Sequence, residues 1–308
     1  MSSIDAALAQ LKVLGTSTSQ TRVHGCFVNL GCGSRHHPDW LNIDTWAPDP
    51  DIQRHDLQSG IPLPDNSVDA VYHSHVLEHF DRSAGMAFLR ECFRVLKNEG
   101  IIRVVVPDLE KIARLYLMAL EGSCAGSTQW HRNYEWMLLE MYDQAVRERP
   151  GGGITDYFRG STIPNRDFVV SRMGEVPIRR LIDSLSGYLG CQEPAAISRA
   201  IFRRAKKRLA RLGPALRERT IRILLAERDY GALQRGRFRQ SGEVHKWMYD
   251  RYSLGKCLQG AGFVQIRECT ASESGISGWQ DFNLDTEPDG TVYKPDSLFM
   301  EAVKISSK

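Results

Sequence analysis

Short β-rich runs alternate with helical patterns from Cys26 to Pro107, and the first run, Cys26 to Leu30, ends directly in Gly31-Cys32-Gly33. Parallel strands must be joined by long crossovers, so this rhythm implies a parallel sheet with helices on its faces. Further strands are expected at Trp40 to Asp44, Ile52 to Leu57, Val68 to Ser74 and Ile101 to Val106. The last is almost entirely branched and apolar, as a strand buried on both faces should be. Between the last two, Met86, Leu89, Phe93 and Leu96 recur at helical spacing, with Ser83 as the expected cap and Asn98 and Gly100 closing the helix. Toward the C-terminus Ser253 is expected to cap a helix carrying Leu254 and Leu258 and ended by Gly260 and Gly262. Strands at Phe263 to Cys269 and Ser297 to Val303 follow. Between them Thr270 to Asp296, with Trp279 and Phe282, reads either as a binding loop or as a surface excursion.

Residues 109–242 interrupt the alternation and read mostly as helix. Asp108 to Glu121, Trp130 to Arg147 and Val176 to Tyr188 carry helical spacing, and Pro150-Gly151-Gly152-Gly153 stops the second. Arg199 to Arg239 holds fourteen Lys/Arg against Glu218, Glu227 and Asp229, a local charge of +11 in a chain whose net charge is only +3. Gly213-Pro214 should divide this stretch into two helices. The expected organisation is a 1–19 N-terminal extension, a sheet domain from 20–108 and 243–308, and 109–242 as a helical insertion capping it.

With 42% hydrophobic residues over 308 positions the chain can bury a sizeable core, which excludes disorder for its bulk. Its seven cysteines form no C-x-x-C pair, so neither a disulfide framework nor a cysteine zinc site is indicated, and a reducing cytoplasm is expected. No run of eighteen apolar residues suggests a membrane span.

A glycine turn after a strand lets backbone approach a ligand closely, which makes Asn29, Leu30, Gly31, Cys32 and Gly33 candidate binding residues. Asp44 ends the second strand, where a carboxylate can accept both hydroxyls of a ribose, and Asp56 with Leu57 follows the third, where an Asp can meet an adenine amine. The fourth strand ends in Tyr72-His73-Ser74-His75, placing His73 and Ser74 at the same edge. Only ten residues separate Gly33 from Asp44, whereas dinucleotide folds place the acid roughly twenty beyond the glycines. The helix after the turn is therefore expected to be shortened, with His36-His37-Pro38-Asp39 as loop.

Together with Val76-Leu77-Glu78-His79-Phe80 and Arg94-Val95-Leu96-Lys97-Asn98-Glu99-Gly100, this order resembles the class I S-adenosylmethionine-dependent methyltransferases over about residues 24–108 and 250–304. The resemblance implies a seven-stranded, mostly parallel Rossmann-like α/β sheet and S-adenosyl-L-methionine as cofactor. It further implies that Gly31 and Gly33 hold the methionine end, Asp44 the ribose and Asp56 with Leu57 the adenine. The Leu-Gly-Cys-Gly turn followed by Trp40-Leu41-Asn42-Ile43-Asp44 is similar to bacterial methyltransferases associated with surface-polysaccharide synthesis, which implies O-methylation of a sugar or glycan acceptor. A non-catalytic scaffold of the same fold and an RNA methyltransferase are the competing functions.

Methyl transfer to a hydroxyl needs a base, and His75 is the first candidate, His245 the second. Trp247, Tyr249 and Tyr252 offer flat faces to a sugar or serve as core packing. His75-Val76-Leu77-Glu78-His79 also spells H-x-x-E-H, but a zinc protease needs that motif within a helix and here it follows a strand. Glu78 and His79 are read as anchors of the loop, with a divalent ion on His75, Glu78 and His79 as the alternative, and no metal is assigned. The basic stretch 199–239 is read as a solvated face or as a peripheral contact with an anionic membrane or lipid-linked substrate; no nucleic-acid motif accompanies it.

Overall fold

Seven strands pair into one sheet in the computed structural model, which describes residues 25–160, 162–190 and 216–305. They are β1 (Phe27–Leu30), β2 (Leu41–Asp44), β3 (Ile52–Arg54), β4 (Val68–Ser74), β5 (Leu96–Pro107), β6 (Val264–Cys269) and β7 (Ser297–Val303). Their order is β3-β2-β1-β4-β5-β7-β6, with β7 antiparallel to both its neighbours and the rest parallel. The seven-stranded, mostly parallel α/β sheet expected from the sequence is the one observed. Chain order reverses direction at β1 and β4, and a crevice opens beyond the carboxyl ends of such a pair.

Alternation along the strands decides what lies on each side of the sheet. β1 and β4 pair as Val28↔Val71 and Leu30↔His73. Val28, Leu30, Val71, Val104 and Val106 therefore meet Phe88, Leu89, Cys92, Leu254 and Leu258 of the helices Arg82–Val95 and Arg251–Gly260. The opposite face carries Phe27, Trp40, Ala70, Tyr72, Val105 and Phe299. No helix follows β1 to cover them, because residues 31–40 form only turns. Ala271, Ile276, Trp279, Phe282 and Leu284 do so instead. The segment Thr270 to Asp296 is thus a structural layer, not a surface excursion.

A buried ion cluster pins that layer. Arg103, fully buried in β5, bonds Asp285 Oδ2 at 2.8 Å and Glu301 Oε1 at 2.9 Å, and lies 4.3 Å from the Trp279 ring centroid. It also donates to the carbonyls of Thr270 and Glu273. Burying these charges costs several kcal/mol per ion unless every donor is matched, and the carbonyls together with the two carboxylates supply the match.

Local signals account for several shifted boundaries. Asp81, not Ser83, caps the helix Arg82–Val95, accepting from the Ser83 and Ala84 amides at 2.9 Å each. That helix ends at Val95, and Asn98 and Gly100 belong to β5, whose early residues pair with the start of β4. Asp250 caps the helix Arg251–Gly260, with Ser253 returning the bond in a capping box. β3 stops at Arg54 because Asp56 caps a 3₁₀ turn at Leu57–Ser59.

Helices dominate the described part of 109–242: Leu109–Cys124, Thr128–Leu138, Gly152–Phe158, Arg166–Met173, Glu175–Gly190, residues 216–224 and Glu227–Arg239. Ile112, Ala119, Trp136, Met137, Phe158, Val169 and Ile178 give them an apolar cluster of their own. The expected continuous helix from Trp130 to Arg147 is interrupted by a π turn at Leu139–Asp143, where Glu140 turns inward to accept from Trp136 Nε1 at 3.0 Å and to pair with Arg172. The 1–19 extension and the first half of the basic stretch, with Gly213-Pro214, lie outside the described residues.

Candidate cofactor and proton-transfer site

The turn after β1 has the conformation its glycines permit. Gly31 and Gly33 adopt φ of 65° and 53°, and the Gly31 amide donates to the Ile43 carbonyl at 2.7 Å. A β-carbon on Gly31 would strike Val76, whereas one on Gly33 would meet nothing within 4 Å. The Gly33 backbone therefore faces open space. A cavity of about 240 Å³ lies here, lined by Asn29, Gly31, Cys32 and Gly33 from the turn and by Tyr72, Ser74 and His75 from the end of β4. Burial, then the nearby Asp44 charge, pushes the Cys32 thiol up to about 12, so it is a neutral wall rather than a nucleophile.

Asp44 stands beside the turn. Its Oδ2 accepts from the Gly33 amide and its Oδ1 from the Trp46 amide, each at 2.8 Å. The Thr45 hydroxyl also donates to Oδ1 at 3.3 Å, so of the roughly four acceptor sites of a carboxylate the one left for a ligand hydroxyl is on Oδ2. Asp56 lies farther along the same edge, exposed, with its Oδ1 accepting from the Gln58 amide at 3.0 Å. Leu57 is buried in the main core. The His55 amide donates to the Asp44 carbonyl at 2.8 Å, which joins the ends of β2 and β3.

Two of the expected residues point the other way. Leu30 and His73 are directly paired across β1 and β4 and lie under the helices. Because side chains alternate, Tyr72 and Ser74 can line the cavity only if His73 does not. The His73 ring packs at 5.1 Å on Phe88 with neither nitrogen hydrogen-bonded, and burial pushes its pKa down to about 4.

Sequence reasoning missed the outer wall. Ser34, Arg35, Leu284, Tyr293 and Lys294 complete the lining, most of it from the C-terminal layer. Arg35 lies 4.1 Å from the Tyr293 ring centroid, bonds the Leu284 carbonyl and pairs with Glu287 at 3.1 Å. Arg180, on the insertion helix Glu175–Gly190, donates to Ser34 Oγ at 2.9 Å and to the Tyr293 hydroxyl at 3.1 Å. A cation two residues beyond the glycine turn was the one local signal; its partners lie about 250 residues away.

His75 leaves β4 with φ of 54°, a strained value for a residue with a β-carbon. Its Nε2 is 2.9 Å from Ser297 Oγ and its Nδ1 3.2 Å from Glu78 Oε1. Glu78 is fully buried on the 3₁₀ turn Leu77–His79. Burial pushes its carboxyl up, but His75, then His245 and His79, outweigh it and hold it at about 2. His245 does not reach the cavity; it sits behind Glu78, Nε2 to Oε1 4.0 Å, and burial pushes its pKa to about 3. The ligand atoms of Glu78, His79 and His245 all lie within 4.8 Å of one another, a cluster able to hold a metal ion.

A second groove of about 670 Å³ is lined by Arg82, Trp247, Tyr249, Tyr252 and Lys256. Tyr249 is buried in the core, whereas Trp247 is 40% and Tyr252 73% exposed, and the Arg82 guanidinium stands 4.9 Å from the Trp247 ring.

Residues 28–104 match the methyltransferase domain family model. Over 55 residues the chain is 44% identical to a protein of Mycolicibacterium smegmatis named "Probable S-adenosylmethionine-dependent methyltransferase", covering 18% of this chain and 21% of that protein. A Mycobacterium tuberculosis protein with the same description is 46% identical over 48 residues, 16% of this chain and 17% of its own. The chain thus spans about a fifth of the curated relatives it matches. A solved S-adenosylmethionine-dependent methyltransferase from Archaeoglobus fulgidus aligns over 98% of this chain and 95% of its own at 11% identity and a TM-score of 0.32. The strand order and glycine turn, with the domain match over residues 28–104, define a Rossmann-like methyltransferase fold.

Proposed function

We propose that this chain is an S-adenosylmethionine-dependent O-methyltransferase acting on a sugar or glycan hydroxyl, and that His75 is its base. The observation that carries the reading is the placement of His75 at the cavity edge between Glu78 and Ser297. The residues fit the cofactor: open backbone at Gly33, the Asp44 carboxylate beside it, and Asp56 exposed farther along the edge. When bound, the cofactor supplies an electrophilic sulfonium methyl group. A carboxylate opposite Nδ1 favours the tautomer with the proton there, which leaves Nε2 as acceptor. Ser297 Oγ, 2.9 Å from Nε2, marks a position from which an acceptor hydroxyl could hand over its proton. Tyr293 and Arg180 close the outer side and align the acceptor.

The glycan assignment draws on the separate aromatic groove, where Trp247 and Tyr252 are exposed and Arg82 and Lys256 offer cations for an acidic or phosphorylated sugar. Mass spectrometry of glycans from cells with and without the gene tests it. Loss of a methyl increment on one sugar in the deletion supports the reading. Unchanged glycans, together with a methyl increment lost from RNA, would transfer the activity to nucleic acid.

The acceptor is further proposed to be reached at an anionic surface. On residues 216–224, Leu216, Ile223 and Leu224 are exposed among Arg217, Arg219 and Arg222. Among the described residues no helix is long and apolar enough to cross a membrane. An apolar stripe flanked by cations instead suits a helix lying in the headgroup plane.

A further inference from the structure

The Glu78 carboxylate is fully buried, its Oε2 has no hydrogen-bond donor, and its Oε1 has only the poorly aligned Nδ1 of His75 at 3.2 Å. A buried carboxylate with one poorly aligned donor and a bare second oxygen is costly, and native proteins resolve such groups with a partner. Two imidazoles converge on it from separate segments. His79 stands next to it on the 3₁₀ turn, and His245 approaches from across the insertion with its ring 4.8 Å from that of His79 and nearly perpendicular, at 82°. Backbone bonds hold the segments together: the Lys246 amide donates to the Glu78 carbonyl at 2.7 Å and the His245 amide to the Gln144 carbonyl at 2.9 Å. His79 Nδ1 faces the Val244 carbonyl at 3.4 Å, which puts its proton there and turns Nε2 into the free lone pair.

We propose that Glu78, His79 and His245 form a site for one divalent transition-metal ion of the zinc class. Two imidazoles and one carboxylate are borderline donors that suit zinc or cobalt better than magnesium or calcium. Ligands 2.0–2.1 Å from a tetrahedral ion stand about 3.3 Å apart, so the present limit of 4.8 Å closes by small side-chain rotations. Three protein ligands leave a further position for water or an acceptor oxygen. This departs from both metal readings of the H-x-x-E-H segment, the zinc protease and the divalent ion, since His245 replaces His75, which is turned to Ser297. The inference does not depend on methyl transfer.

Chelator-stripped full-length protein titrated with Co²⁺, followed by visible absorption, and with Zn²⁺, followed by calorimetry, tests the site. One equivalent per chain is expected, with the strong d–d bands of a four- or five-coordinate ion. His245→Ala and His79→Ala should each weaken binding at least tenfold, while His75→Ala should leave it within about threefold. Glu78→Gln should also weaken it, with circular dichroism checking that the variant folds. No saturable binding by the folded wild type overturns the proposal. Binding that survives His245→Ala but is lost in His75→Ala also overturns it, and assigns the ion to the sequence motif instead. S-adenosylhomocysteine binding on the same samples separates failure of this site from failure of the cofactor assignment.

Discussion

The Arg180 guanidinium bonds the Ser34 hydroxyl at 2.9 Å across 146 residues of chain, so the helical insertion touches the glycine turn itself. The same side chain holds Tyr293 over the cavity. Because a hydrogen bond contributes about 0.5–1.5 kcal/mol net, Arg180→Ala should raise the dissociation constant for S-adenosylhomocysteine roughly twofold to tenfold. The thermal midpoint should not move, since the contact is at the surface. Calorimetry beside a melting curve checks both; unchanged affinity would detach the insertion from the cofactor.

Asp44→Ala should weaken S-adenosylmethionine and S-adenosylhomocysteine alike by about 1–3 kcal/mol through lost charge-assisted bonds. The same carboxylate also accepts from the Gly33 amide, so part of the loss arises in the turn. Comparing adenosine with a 2′-deoxy analogue isolates the ribose share. If both bind the wild type equally, Asp44 holds the turn and not the sugar.

His73 provides a pH prediction. Its folded pKa lies near 4, below the ordinary 6.5, because burial disfavours the imidazolium. Between those values the unfolded chain binds a proton that the folded chain does not, so stability rises with pH across the window and is lost as pH falls through it. The slope from this one group approaches about 1.4 kcal/mol per pH unit. His73→Phe should flatten the urea midpoint against pH between 4.5 and 6.5 by that amount and, having no unpaired nitrogens to bury, should not lower stability at pH 5. An unchanged slope would mean the ring is hydrated.

Charge reversal at Arg217, Arg219 and Arg222 should abolish low-salt sedimentation with anionic liposomes, since each cation near acidic lipid contributes about 1 kcal/mol that salt screens. Methylation of a short free acceptor should continue. A wild type that ignores such liposomes yet binds RNA with a steep salt dependence would place the stretch on nucleic acid.

What the sequence made legible was whatever local chemistry controls. The β4 and β7 runs were readable to the residue, and the turn at Gly31 and Gly33 announced open backbone. Caps were misplaced where a stronger carboxylate stood two or three residues before a serine, as Asp81 does before Ser83. Placing His73 in the cavity failed on a period-two count that the identity of Tyr72 alone could not settle. The walls from Tyr293 and Lys294 and the meeting of His245 with Glu78 depend on contacts across 160 to 260 residues, which no local pattern encodes.

The layer from Ala271 to Leu284 covers a face of the sheet that the turns at residues 31–40 leave bare, and the residues just after it finish the cavity. During synthesis the chain emerges at about 5–20 residues per second. β1 to β5 are therefore exposed for roughly ten seconds or more, with Phe27, Trp40 and Tyr72 uncovered, before Trp279 and Phe282 leave the ribosome. The cavity at the glycine turn is also still missing its Leu284, Tyr293 and Lys294 wall over that interval. The nascent chain should be a chaperone client until its last strand is made, and a ribosome stalled near residue 260 should hold an unligandable, aggregation-prone sheet.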